Sequence, residues 1–105
     1  MKLMKKSKNI ENLIKMEIKN LHEYLKKHNV HSFRQVINVK MECICLVDNK
    51  GNKIFYNQDT NDWKIKCRIK CIKDDNAITF LDKPLFMDLF AQTKRDVLAI
   101  INSRM

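Results

Sequence analysis

Asp62-Trp63-Lys64-Ile65-Lys66-Cys67-Arg68-Ile69-Lys70-Cys71-Ile72-Lys73 alternates apolar and basic residues for most of its length. Successive side chains of an extended strand point to opposite faces. Trp63, Ile65, Cys67, Ile69 and Cys71 therefore share one face, and Lys64, Lys66, Arg68 and Lys70 share the other. Helical spacing would scatter the four cations around a cylinder. A period of two sustained this long predicts a strand with one core-facing side and one strongly basic side.

Working back from this strand, residues 57–62 are a polar loop and residues 53–56 a short strand. Asp48-Asn49-Lys50-Gly51-Asn52 is a turn, in which Gly51, the only glycine, can supply the positive φ of a tight hairpin. Residues 33–47 predict one longer strand, with Ile37, Val39, Met41, Cys43, Cys45 and Val47 forming an unbroken apolar row. Its even positions change from Asn38, Lys40 and Glu42 to Ile44 and Leu46. The strand is thus expected to begin half-exposed and to end buried on both sides, under another element or against a partner.

Working forward, Asp74-Asp75-Asn76 turns the chain into a short strand over residues 77–81. Asp82 then occupies an N-cap position with Pro84 in the first turn, which predicts a second helix over residues 83–102. Its apolar residues Leu85, Phe86, Leu89, Phe90, Val97, Ile100 and Ile101 cover an arc of about 160°, which Met87, Ala91 and Leu98 widen to about 240°.

At the other end, residues 1–8 carry Lys2, Lys5, Lys6 and Lys8 and no acid, and read as a basic arm or the frayed start of a helix. A helix is predicted over residues 9–28, capped by Ser7 or Asn9. Ile10, Leu13, Ile14, Ile18, Leu21, Tyr24 and Leu25 fall within an arc of about 140°, the width of a core-facing surface helix. Lys8, Lys15, Lys19 and Lys26 align on its opposite side, as a solvated face or a second basic ridge. Residues 28–32 form the connection. The order is helix, two hairpins giving about four strands, then helix. This is an α+β fold with an antiparallel sheet and both helices on one of its faces, in a single domain over residues 9–105 preceded by the arm.

The chain has 105 residues, and its 45% hydrophobic content suits a folded domain. Lys and Arg number 21 against 12 acids, a net charge of +9, which leans toward a polyanionic partner. An AT-rich genome would account for lysine over arginine, but not for the shortage of acids. The basic first residues lack the apolar stretch of a signal peptide, and no run reaches the 18 or more apolar residues of a membrane span. A cytoplasmic, membrane-free protein with reduced thiols is expected.

Catalytic and metal chemistry find little support. On extended strands Cys67 and Cys71 lie about 13 Å apart, and neither they nor Cys43-x-Cys45 have the spacing of a zinc knuckle, so all four read as core thiols. His22, His28 and His31 have no acid or thiol fixed beside them. Asp59, Asp62, Asp74 and Asp75 lie in turn-rich segments where Asp serves local hydrogen bonds. One glycine cannot make a phosphate-cradling loop. No cofactor, metal or enzymatic activity is expected.

The basic strand face carries the leading expectation, a small non-enzymatic nucleic-acid-binding protein, structured-RNA-binding or a ribonucleoprotein subunit, with RNA favoured over DNA. Lys64, Lys66, Arg68 and Lys70 would contact phosphates, assisted by Lys8, Lys15, Lys19 and the arm lysines. No aromatic interleaves the cations on that strand face, so backbone and shape recognition are expected rather than base stacking. The rival expectation is a protein-interaction module, a homodimer or oligomer subunit or a virus-encoded inhibitor. It would use the apolar face of the second helix, including Met87 and Leu98, together with Ile44 and Leu46. The helix, sheet, helix order resembles double-stranded-RNA-binding domains and the small Alu-RNA-binding subunits of the signal recognition particle. The resemblance is of topology and carries over no residues. The opening Asp82-Lys83-Pro84 also departs from the lysine-rich helix start with which the former grip phosphates.

Overall fold

A computed structural model describes residues 2–39, 43–74 and 77–105, with side chains described for residues 10, 12–39, 44–69 and 85–105. Helix α1 (Lys2–Lys27) is followed by strands β1 (Arg34–Ile37), β2 (Cys43–Val47), β3 (Lys53–Asn57), β4 (Asp62–Asp74) and β5 (Ala77–Ala91), and by helix α2 (Lys94–Arg104). The strands form one antiparallel sheet in the order β1-β2-β3-β4-β5, each paired with its sequence neighbours. The fold is α+β.

Helix α1 begins at Lys2, so the residues expected as an arm are continuous with the helix. Its C-terminus is closed by a left-handed residue, Asn29 at φ 65°. The Val30 N–H donates to the Leu25 carbonyl at 2.8 Å and the Asn29 N–H to Lys26 at 3.1 Å, the paired bonds of a Schellman motif. Lys26 and Lys27 in the last turn complement the negative end of the helix dipole.

Helix side chains cover one face of the sheet. Ile18, Leu21 and Leu25 from α1 and Val97 and Ile101 from α2 join Phe33, Leu46, Ile54, Trp63, Ile65, Cys67 and Ala91 in one core. Register explains the set: Leu46 stands opposite Ile54, Ile54 opposite Ile65 and Trp63 opposite Ala91, so these residues lie on the same face. Burying each large aliphatic side chain contributes roughly 1.5–3 kcal/mol.

Three sequence expectations need correction. The single strand over 33–47 is instead two strands, β1 and β2, paired with each other from Arg34↔Val47 to Ile37↔Cys43, which makes the sheet five-stranded rather than four-stranded. Residues 40–42 of that expected strand lie outside the described residues, as do residues 75 and 76 of the expected second turn.

The helix expected over 83–102 begins only at Lys94. Its N-cap is Thr93, whose hydroxyl accepts from the Asp96 N–H at 3.1 Å, and Asp82 lies within β5. The short strand expected over 77–81 is the first third of a 15-residue strand. Leu85 pairs with Ile69 and Phe80 with Cys71, so residues 81–84 stand opposite Lys70 alone, and Pro84 falls in this irregularity. Proline has no ladder donor, and such breaks in pairing are where a sheet accommodates it.

Strand β3 pairs with β4 only along Asp62–Lys66, whereas β4 and β5 continue together to Asp74↔Ala77. This two-stranded ribbon and the 26-residue α1 give the molecule its 59 × 29 × 25 Å extents.

Candidate nucleic-acid interface

Because Trp63, Ile65 and Cys67 point into the core, Lys64, Lys66 and Arg68 point to the sheet face that the helices leave uncovered. The pairing register then names their neighbours. One row across all five strands reads Arg34, Val47, Lys53, Lys66 and Asp88, each directly opposite the next. A second row reads Phe55, Lys64 and Phe90, and a third Arg68 and Phe86. Asp62, opposite Asn57, completes the described polar set on this face. Five cations, Arg34, Lys53, Lys64, Lys66 and Arg68, thus share it with two carboxylates, Asp62 and Asp88.

The cations are not equivalent. Lys64 is partly covered and lies 3.7 Å from the Asp88 carboxylate in an exposed ion pair, which contributes little. Arg68 donates a guanidinium N–H to the Lys50 carbonyl at 3.3 Å, and so spends part of its donor fork on the β2–β3 turn. Lys66 and Lys53 are both exposed and stand directly opposite each other. Like charges in that relation destabilise a sheet.

The turn is itself tightly built. Asp48 Oδ1 accepts the Lys50 and Asn52 N–H groups, each at 2.9 Å, and Asp48 Oδ2 accepts the Asn52 amide at 2.8 Å. Asn52 Oδ1 in turn accepts the Arg68 N–H at 2.6 Å, replacing a ladder bond just where β3 has ended. Gly51 has φ 88°, and a Cβ there would meet the Phe86 ring at 3.3 Å. Glycine suits the positive φ of the turn, and a side chain there would press on the Phe86 ring.

Three aromatic side chains enter the face from neighbouring strands, which alters the expectation of a basic face without stacking surfaces. Phe90 is 62% exposed and Phe86 37%, while Phe55 is partly covered. None of the three lies on β4 itself, but register places Lys64 between Phe55 and Phe90 and sets Phe86 opposite Arg68. An open cleft of about 470 Å³ is lined by Ile10 and Ile14 of α1 with Phe55, Tyr56 and Lys64, and does not include Phe86 or Phe90.

Of the other expected contacts, Lys15 and Lys19 lie on α1, which packs against the opposite sheet face, with Lys15 partly covered and Lys19 exposed. The side chains of Lys70, Lys8, Lys2, Lys5 and Lys6 lie outside the described residues. The set proposed for a protein partner is divided. Leu46 is fully buried in the core and has no surface to offer, Leu98 packs against that core, and Ile44 and Met87 remain 42% and 36% exposed. The broad helical face on which that set rested is divided as well, because Leu85, Phe86, Met87, Leu89, Phe90 and Ala91 belong to β5.

Histidine and cysteine have local structural roles. His22 Nε2 donates to the Phe33 carbonyl at 3.1 Å, leaving Nδ1 to accept from the Gln35 amide at 2.9 Å, which ties α1 to β1. Cys45 and Cys67 are buried. Burial pushes the Cys67 thiol above its ordinary range, partly offset by Arg104 and reinforced by Asp48. Burial also raises Tyr56, with Glu17 and Asp62 adding to it, while its hydroxyl donates to Asn61 Oδ1. Among the described residues, no group of three or more His, Cys, Asp or Glu side chains is arranged to hold a metal ion. Nor is any described helix long and apolar enough to cross a membrane.

Compared with protein-family models, with curated protein sequences and with solved structures, the chain matches none of them.

Proposed function

We propose that this protein is a small, non-enzymatic nucleic-acid-binding protein, with RNA favoured, that contacts phosphates through the uncovered face of its sheet. The observation that carries the reading is the Lys53–Lys66 pair, two exposed lysines held directly opposite each other in a row that also contains Arg34. The pair weakens the sheet that holds it, and a bound phosphate would turn that repulsion into two attractions. Lys64 and the free part of the Arg68 fork extend the contact, and Asp88 at the far end of the row sets its limit.

Filter binding of a mixed RNA and a mixed DNA over a salt series tests the proposal. Neutralising four to six phosphates gives a log-log slope of about −3 to −5. A Lys53→Glu/Lys66→Glu double variant should keep its fold and lose most of this binding. Absence of binding to either polymer at low salt would sink the proposal. Sedimentation separates it from the rival: a dimer that persists at high salt with no nucleic-acid affinity would favour a protein-interaction module built on exposed Ile44 and Met87.

A further inference from the structure

We infer that the nucleic acid held by this face is single-stranded, with unpaired bases stacked on Phe90 and Phe86. The inference rests on the nucleic-acid reading above and narrows it to one substrate class.

Phe90 and Phe86 are exposed aromatic rings on β5, on the same face as five cations. Exposing a phenyl ring to water is unfavourable, and no described helix or loop covers Phe90. The occupant of such a face must offer flat apolar surface together with negative charge. An unpaired polynucleotide does both, since every base has a π-face and every linkage a phosphate.

A duplex supplies only the charge. Its bases are already stacked on one another, and its outer surface shows phosphates and base edges, so exposed rings gain little from it.

The spacing suits alternation of the two contacts. Phe86 and Phe90 are four residues apart on β5, about 13 Å, and Phe90 lies two strands from Phe55, about 10 Å. Lys64 stands between Phe55 and Phe90, and Lys66 faces Asp88 between the two β5 rings. Each ring therefore has a cation on the adjoining strand. Phe86 is further steadied by Gly51, whose missing side chain lets the turn backbone lie against one edge of the ring. Phe90 has no such support and is the freer platform.

The test is a fluorescence-anisotropy titration with three labelled probes of equal length: a 12-nucleotide single-stranded RNA, the same strand annealed to its complement, and an abasic oligomer carrying the same phosphates. The full chain should bind the single strand at least tenfold more tightly than either other probe. Phe90→Leu keeps an apolar strand residue but removes the ring, and should weaken single-strand binding about tenfold while leaving the abasic probe unaffected. Phe90→Tyr should retain the affinity. Emission from Trp63, buried in the core beneath the opposite face, reports that each variant is folded.

Equal affinity for the single strand and the abasic oligomer would overturn the stacking inference and leave phosphate binding standing. Preference for the duplex would overturn it likewise. Failure to bind any of the three probes would remove both.

Discussion

The two faces of β4 differ in what the surrounding structure asks of them. On one, Trp63, Ile65 and Cys67 are at most 3% exposed and lie beneath two helices. On the other, one residue away in each case, Lys64, Lys66 and Arg68 meet lysine, aspartate and phenylalanine from β3 and β5. The first face is satisfied internally. The second sets Lys53 directly opposite Lys66 and leaves Phe86 and Phe90 exposed, and it is the face proposed to bind. Stability should therefore be concentrated on one side of the strand and binding on the other.

The largest expected effect tests the inner side. Ile65 is fully buried between Ile54 and Leu89 in the sheet, and Ile65→Ala should cost about 3–4 kcal/mol in urea unfolding. Its affinity for RNA under folding conditions should match that of the parent chain. If affinity falls while Trp63 emission remains native, the two faces are coupled and the contrast fails.

Asn52 stands where the faces meet, and the next effect sharpens the boundary. It is buried, donates to Asp48 and accepts the Arg68 N–H. Asn52→Ala strands both groups and should cost about 2 kcal/mol. It should also loosen the turn that holds the Arg68 guanidinium and the Phe86 ring. This substitution alone is expected to lower stability and binding together. An unchanged urea midpoint would show that water replaces the side chain.

The inner face was legible in the sequence at Trp63, Ile65 and Cys67, because apolar residues at a spacing of two between polar loops have one solution. Ile69 is only partly covered, and the Cys71 side chain lies outside the described residues. The second helix was misread because residues 85–91 have two solutions. Leu85, Phe86, Leu89 and Phe90 fit a helical stripe, whereas as a strand Leu85, Met87, Leu89 and Ala91 fall on one face and Phe86, Asp88 and Phe90 on the other. Leucine, methionine and alanine favoured the helix by propensity, and Pro84 looked like a first-turn proline. The missing consideration was the hydrogen-bonding demand of β4. A strand of 13 residues cannot be served by a five-residue partner, and its remaining N–H and C=O groups called for β5 to be long. The three aromatics of the candidate site were invisible for the same reason. They reach the basic face only through the register of β3 and β5, which the alternation within β4 does not specify. The split of residues 33–47 left no such trace, because the apolar row from Ile37 to Val47 runs on through the break between β1 and β2.

Alkaline pH probes the inner face more gently. Cys67 is raised first of all by burial, so the folded chain holds this proton more tightly than the unfolded chain. The associated stability is fully present below the ordinary thiol range and is lost as pH rises through and above it. Tyr56, raised by burial with Glu17 and Asp62, adds a loss of the same sign at still higher pH. Urea midpoints measured across this range should decline, and the first part of the decline should be smaller in Cys67→Ala. An identical decline in that variant would assign the loss to other groups.

The smallest expected effect has the opposite sign. Lys53 stands directly opposite Lys66, and beyond Val47 in the same row lies Arg34, about 10 Å away across two strand spacings. Lys53→Glu replaces one like-charge pair by an attractive pair and should raise stability by ~0.3–0.5 kcal/mol. The gain should shrink in 1 M salt, where the screening length falls to about 3 Å. The same variant should bind single-stranded polynucleotide more weakly, with the magnitude of the salt slope reduced by about 0.7, the share of a single neutralised phosphate on a single strand. A substitution that stabilises the chain while weakening its binding is what an outer face arranged for a ligand must show. If Lys53→Glu instead destabilises the protein by more than about 1 kcal/mol, well outside the usual range for an exposed position, the lysines serve the sheet itself and the division between the two faces of β4 is lost.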